Sequence, residues 1–311
     1  MRTVLTLLLL AGPVAAQTIP TPTGTTTPAA TALQVTAQPG TLVEYAVRST
    51  SHLDVNDVVV TALPGSQVSQ DELTFMQAFM GGLFKEVLSS KTAEANLSKQ
   101  FVKVLPALPD GRPVLLDSAV HSDGKKTLQT RVTRAIGPDG TLTVLDVTST
   151  DADLQAAIKA NRTQALQAFL PMGGSVYGRP LTPGTTWTVT QDLDAGVALS
   201  SAFGDRTMQG TLRAVTTRTF TGLNERGEAA FQVTSVVQPG VLRLRNQAGD
   251  LSITVESMVS EGQETYRADG LPSTSSSRTR GALRMTLAMD DEGVQVAMRA
   301  TIDSAQTSTA R

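Results

Sequence analysis

The sequence predicts an α+β fold dominated by β-structure: a large, curved, antiparallel meander sheet, half-barrel or clam-like, with two covering amphipathic helices. Three observations lead there. After residue 41, apolar and polar residues alternate in many short segments, separated by clusters rich in Pro, Gly, Asp and Asn. The connections are short and polar, which makes successive strands antiparallel neighbours. Two segments repeat their apolar residues at helical spacing, enough to cover one face of a sheet.

The first element is a leader. Met1–Ala16 (MRTVLTLLLLAGPVAA) sets one cation, Arg2, ahead of an apolar run from Val4 to Ala11; Gly12-Pro13 breaks the run, and Val14 and Ala16 precede a cleavage point at Gln17. This is a secretory signal layout. The run is well short of the about 20 residues that cross a bilayer, so the expectation is an exported protein, periplasmic or extracellular, soluble after cleavage and without a transmembrane segment. Residues 17–40 are rich in Thr, Pro and Ala and read as a disordered linker, because such a segment buries too little apolar surface to offset its ordering entropy. Residues 41–311 form a single β-rich domain; a two-lobed division would fall near 175–185.

Pro39-Gly40 marks a turn, and Leu42, Val43, Tyr45 and Val47 begin the first strand. Val55–Leu63 is a second, on its β-branched Val58-Val59-Val60, and Pro64-Gly65 ends it. The strongest helical signal is Ser69–Ser89. Ser69 and Glu72 make a capping box. Leu73, Met76, Met80, Leu83, Phe84, Val87 and Leu88 recur at helical spacing, and Phe75 and Phe79 widen the stripe. Gly81-Gly82 cost about 1 kcal/mol each against Ala, and suit a close backbone approach or a bend. Strands then fall at Val114–Val120, Leu128–Ile136 and Leu142–Val147, with turns at Asp123-Gly124 and Pro138-Asp139-Gly140. A second helix runs from Asp151 to Leu170, capped by Thr150 or Asp151, striped by Leu154, Ile158, Leu166, Phe169 and Leu170, and stopped by Pro171 and Gly173-Gly174.

From Thr185 onward the pattern is strands alone. Trp187–Leu193 is one; Thr207–Thr221 turns at Asn224–Gly227 into Ala229–Val237. Leu251–Val259 turns at Ser260-Glu261-Gly262 into Glu264–Ala268, and Leu271–Gly281 (LPSTSSSRTRG) reads as a polar loop. The cleanest hairpin is last. Leu283, Met285, Leu287 and Met289 share one face, Asp290–Gly293 make the turn, and Val294, Val296, Met298, Ala300 and Ile302 alternate again.

Composition removes whole classes of chemistry. There is no Cys, hence no disulfide, thiolate nucleophile or Cys-type metal site, and only two His. A formal charge of −2 lacks the cationic face that nucleic acid requires. No cofactor is expected, because no phosphate-cradling or dinucleotide motif occurs. Gly174-Ser175-Val176-Tyr177-Gly178 misses the G-x-S-x-G elbow by one residue, and Ser122–Lys125 matches S-x-x-K in a turn rather than a helix. His52, Asp54 and Asn56 alternate along a strand and are weak candidates for a divalent cation. Asp290-Asp291-Glu292 and Asp151 with Asp153 are the carboxylate pairs a secreted hydrolase would use, but they sit at a turn and a helix start, where carboxylates are favoured anyway.

Two patterns point to partners. Arg206, Arg213, Arg218, Arg243, Arg245, Arg278, Arg280 and Arg284 mark the C-terminal strands, a face that would contact an envelope component, or simply pair with Glu228, Glu256 and Glu264. Met76, Met80, Met172, Met208, Met258, Met285, Met289 and Met298 bring flexible thioethers, several of them on apolar faces. Met76, Phe79, Met80, Leu83, Phe84, Met285, Met289 and Met298 are therefore the candidate lining for a lipid or other apolar small molecule. The expected function is an exported, non-catalytic envelope protein that binds a hydrophobic or amphipathic ligand in the concave face of its sheet.

An export signal, a curved antiparallel sheet and covering helices together resemble the half-barrel envelope lipid carriers of the LolA/LppX type. The resemblance is one of architecture, and the absence of Cys excludes the Cys-anchored branch. Pro183-Gly184-Thr185-Thr186-Trp187 is similar to the lead-in to a strand in secreted bacterial proteins, with Trp187 as a core plug.

Overall fold

A computed structural model describes residues 32–88, 94–122, 127–170, 174–194, 208–246 and 249–311. The leader, most of the linker, the Asp123-Gly124 turn and Met172 lie outside them. Among the described residues thirteen strands form one antiparallel sheet, accompanied by three helices. Strand β1 (Leu42–Ala62) leads to helix α1 (Gln70–Leu88); β2 (Glu94–Leu105), β3 (Val114–Ser122), β4 (Thr127–Ile136) and β5 (Leu142–Ser149) follow. Helices α2 (Ala152–Ala160) and α3 (Arg162–Ala168) then lead to β6 (Thr186–Asp194), β7 (Met208–Gln209), β8 (Thr211–Leu223), β9 (Ala229–Val237), β10 (Gly240–Asn246), β11 (Gly249–Tyr266), β12 (Pro272–Met289) and β13 (Val294–Ala310).

The strand order is β5-β4-β3-β2-β1-β13-β12-β11-β9-β8-β6, so the sheet is open, with β5 and β6 as its edges. Strands from both sides of residues 175–185 share it. The long strands β1, β11, β12 and β13 pass through two tiers. In the lower tier β2 pairs with Leu42–Ser51 and β9 with Met258–Tyr266. In the upper tier β10 pairs with Gly249–Val255. Bulges interrupt β1 between Val55 and Asp57 and β11 between Val255 and Ser257. They lie level, because Val55, Ala300, Leu283 and Val255 are successive cross-strand partners. Bulges add twist and bend, and the sheet curls.

The curl brings distant strands together. Val43, Tyr45, Val102, Leu115 and Ile136 from β1–β4 share one core with Phe220 and Phe231 from β8 and β9. A strap lies across this end: Leu33 is buried in the same core, Gly178 N donates to Leu33 O at 3.0 Å, and Thr36 N donates to Asp269 O at 3.0 Å. Residues 32–40 therefore belong to the folded body, not to the linker. Trp187 packs edge-on against Phe231, ring centres 5.9 Å apart. Near the open edges, Leu154, Ile158 and Ala165 of α2 and α3 cover Val132, Val144 and Val147, and α3 also touches β6.

The structure corrects four local expectations. Leu42–Ala62 is one strand: the two strands expected from Leu42 and from Val55 are continuous, with a bulge between Val55 and Asp57. The second helix is two: Asn161, a residue type of low helix propensity, leaves the helical region with φ −132° and ψ 55°. Ser260-Glu261-Gly262 is no turn but the middle of β11, and Leu271–Gly281 is no loop but largely the start of β12. β2 and β10 carried no signal strong enough to place them. In each β case cross-strand pairing overrode weak local preference.

Candidate ligand-binding face

The inner face of the upper tier is apolar. The β12–β13 hairpin turns Leu283, Met285, Val294, Val296, Met298, Ala300 and Ile302 inward, all buried. Leu53, Val55, Val58 and Val60 of β1 join them, as do Ile253, Val255 and Met258 of β11 and Leu242 and Leu244 of β10. Val58, Met298, Met285 and Ile253 are successive cross-strand partners, so two methionines lie side by side at the centre of this wall.

Helix α1 roofs the wall. It starts as its sequence requires: Ser69 N donates to Glu72 Oε2 at 2.8 Å, and Glu72 N donates to Ser69 Oγ at 3.3 Å, the reciprocal capping box. Hydrogen bonds from Ser69 hold the Glu72 carboxyl below its usual range. Leu73, Met76, Met80 and Phe84 press onto the wall beside Met289 and Val68. The polar residue among them, Gln77, has a separate task. Among the described residues β2 pairs with β1 only as far as Ser51, and above that point β1 pairs with β13 alone. Gln77 serves the other side: its Oε1 accepts from Val60 N at 2.6 Å and its Nε2 donates to Val58 O. One side chain thus takes the place of a neighbouring strand and latches α1 to the edge. A Cβ on Gly81 or Gly82 would meet nothing within 4 Å among the described residues, so neither marks a close backbone approach.

Six of the eight candidate liners converge here: Met76, Met80, Phe84, Met285, Met289 and Met298. Phe79 and Leu83 do not. With Phe75 they face outward, 57%, 41% and 71% exposed. The rings of Phe75 and Phe79 stack nearly parallel, 6.3 Å apart.

Below the wall the inner face changes character. Thr216, Ser235, Ser260, Thr279, Ser304 and Ser51 are successive partners across six strands, a row of hydroxyls in register. They bond among themselves and to backbone: Thr216 and Ser235 at 2.7 Å, Thr279 to Ser260 at 3.0 Å, and Ser304 to Thr50 O at 3.0 Å. Two residues along β8 and four along β11, Arg218 and Glu264 form a buried ion pair at 3.4 Å. Tyr266 donates to Glu264 at 3.1 Å, Tyr45 to Pro272 O at 2.7 Å and Tyr177 to Gly270 O at 3.0 Å. Burial pushes all three tyrosines far above their usual range, with Glu264 adding to the effect at Tyr266. Hydropathy hid this row, since Ser and Thr read as loop; Gln77 was findable, as a polar residue inside an apolar helical stripe.

The remaining candidates have structural work. His52 and Asp54 lie on the outer face of β1, opposite Asp303 and Thr301, and Asn56 sits in the bulge with Nδ2 3.5 Å from Thr301 Oγ1. Among the described residues no His/Asp/Glu group is arranged to hold a metal ion. Asp151 caps α2 by accepting from Leu154 N at 2.8 Å. Five of the outer arginines meet acids: Arg284 and Arg299 share Glu256, Arg278 and Arg280 share Asp303, and Arg213 takes Asp192; Arg206 lies outside the described residues. Among the described residues Glu228 forms no such ion pair; it accepts from Ser273 Oγ at 2.7 Å. An open cavity of about 510 Å³ lies between the Leu63–Val68 loop and the Asp290–Gly293 turn, with Glu72 in its wall. No described helix is long and apolar enough to cross a membrane. Comparison with known proteins yields no matching family model and no matching curated protein.

Proposed function

We propose that this chain is an exported, non-catalytic envelope protein that holds an apolar or amphipathic ligand between the upper inner face of its sheet and α1. One observation carries the reading: a wall of branched aliphatics and methionines is roofed by a single helix, itself fastened to the sheet edge by one side-chain amide. Thioether side chains repack at little cost, so an alkyl chain replaces the helix contacts without reshaping the wall. The leader supplies the expectation of export. The hydroxyl row bounds the apolar tier below and would set the depth to which a chain enters. Five of the outer arginines share three carboxylates, so part of their charge is met within the chain, and the alternative of an Arg-bearing contact face has less support.

Native mass spectrometry of the purified protein, with organic extraction of a parallel sample, tests the proposal. A copurified or exchangeable apolar species is expected, displaced when Met285 and Met298 are enlarged to Phe. Protein that carries nothing and takes up no added fatty acid or phospholipid would refute it.

A further inference from the structure

We infer that the outward face of α1 docks on a lipid bilayer whose head groups carry an ammonium, so that the roof of the ligand site is also the membrane contact; this rests on the carrier reading above. From Leu73 to Phe84 the helix carries no charge. Its inner stripe is spent on the wall, and its outer stripe, Phe75, Phe79 and Leu83, stands in solvent. Isolated exposed apolar residues are ordinary, but these three are contiguous, and two are stacked aromatics.

The size of the stripe selects its occupant. At the observed exposures the three side chains offer roughly 350 Å² of apolar surface, under half of the about 800 Å² that each partner of a stable protein dimer buries. A bilayer interface has no such threshold and demands no shape complementarity; it accepts protruding Phe and Leu from a helix lying in its plane. Charge selects the head group. One turn before Phe75, Glu72 lines the open cavity with Asp290, Asp291 and Glu292. These carboxylates would repel an anionic surface, and they match the ammonium of phosphatidylcholine or phosphatidylethanolamine. Lys85 is the lone cation on α1. The cargo site then lies one helix diameter, about 10 Å, behind the membrane contact.

Flotation of the full protein with vesicles tests this. Phosphatidylcholine vesicles should carry it, and phosphatidylglycerol vesicles should carry at least threefold less. The surface variant Phe75→Ser/Phe79→Ser should bind phosphatidylcholine at least tenfold more weakly, with unchanged circular dichroism and Tm. Asp291→Asn/Glu292→Gln should narrow the preference between the two lipids. No binding by the wild-type chain would overturn the inference, as would equal binding by the Phe75→Ser/Phe79→Ser variant. A wild-type dimer in light scattering that this variant turns into a monomer would also overturn it, assigning the stripe to a second copy. Copurified ligand, measured in both proteins, reports on the carrier reading separately: a chain that binds vesicles yet carries nothing refutes that reading alone.

Discussion

Gln77→Met tests the roof directly. Methionine keeps the length and volume of glutamine but removes both hydrogen bonds to the β1 edge, to Val60 N and Val58 O. At a net 0.5–1.5 kcal/mol for each bond, the variant loses about 1–3 kcal/mol. That is a large share of what holds α1 down. Leu73, Met76, Met80 and Phe84 are only partly buried, and a helix in a protein owes most of its stability to such packing. Gly81 and Gly82 subtract a further ~2 kcal/mol against Ala. Because α1 opens without unfolding the sheet, the loss appears locally. Hydrogen exchange of the α1 amides should quicken about 5- to 150-fold, the factor that 1–3 kcal/mol implies. Amides of β12 and β13, each bonded on both flanks, should keep their protection. Protection of α1 unchanged within twofold would show that the apolar contacts alone hold the helix, and the latch argument would fail.

Three further outcomes are expected. Glu264→Leu strands the Arg218 guanidinium in a site where the two side chains are 5% and 11% exposed; it should cost about 3–5 kcal/mol in urea unfolding, most of it recovered in Arg218→Met/Glu264→Leu. Gly140 has φ +81° and a Cβ there would lie 1.7 Å from Tyr177 O, whereas a Cβ on Gly65, φ +84°, meets nothing; Gly140→Ala should therefore lower stability by more than about 3 kcal/mol and Gly65→Ala by about 1. Hydrogen bonds from Ser273 and Asn224 hold the Glu228 carboxyl below its usual range, so its contribution is present above the unfolded carboxylate range and is lost as pH falls through the depressed folded value. Ser273→Ala should flatten the decline of Tm between neutral pH and pH 3; an unchanged slope would show that the bond is not formed in solution.

Local patterning made part of this molecule legible. The last hairpin and α1 could be read because burial there follows hydropathy at period 2 or 3.6, and because the Ser69–Glu72 box is a contact over three residues. The start of β12 could not. Its period-two alternation sets Ser273, Ser275, Ser277 and Thr279 inward against Arg278 and Arg280 outward, a pattern with no hydropathy contrast, since both faces are polar. Gly262 misled for a related reason: glycine marks turns in isolation, yet here it fills an inner-row position between Val233 and Ser277. The ligand face was legible as a set of residue types but not as a surface. Nine large apolar positions on α1 exceed what one face of a helix presents, and only the position of the sheet decides that Met76 and Met80 go in while Phe79 and Leu83 go out.

By itself, then, the sequence determined the β-dominated class, both helical regions, the final hairpin and the candidate methionines, all of which depend on residues close along the chain. The tertiary structure alone decided that β1 pairs with β13, some 250 residues away, that hydroxyls from six strands form one row, and that Gln77 completes a strand edge. These depend on which distant backbone groups need a partner once the sheet has curled. Pairing of that kind is enforced by the cost of leaving buried hydrogen-bonding groups unsatisfied, and that cost leaves no mark on the order of residues in any one segment.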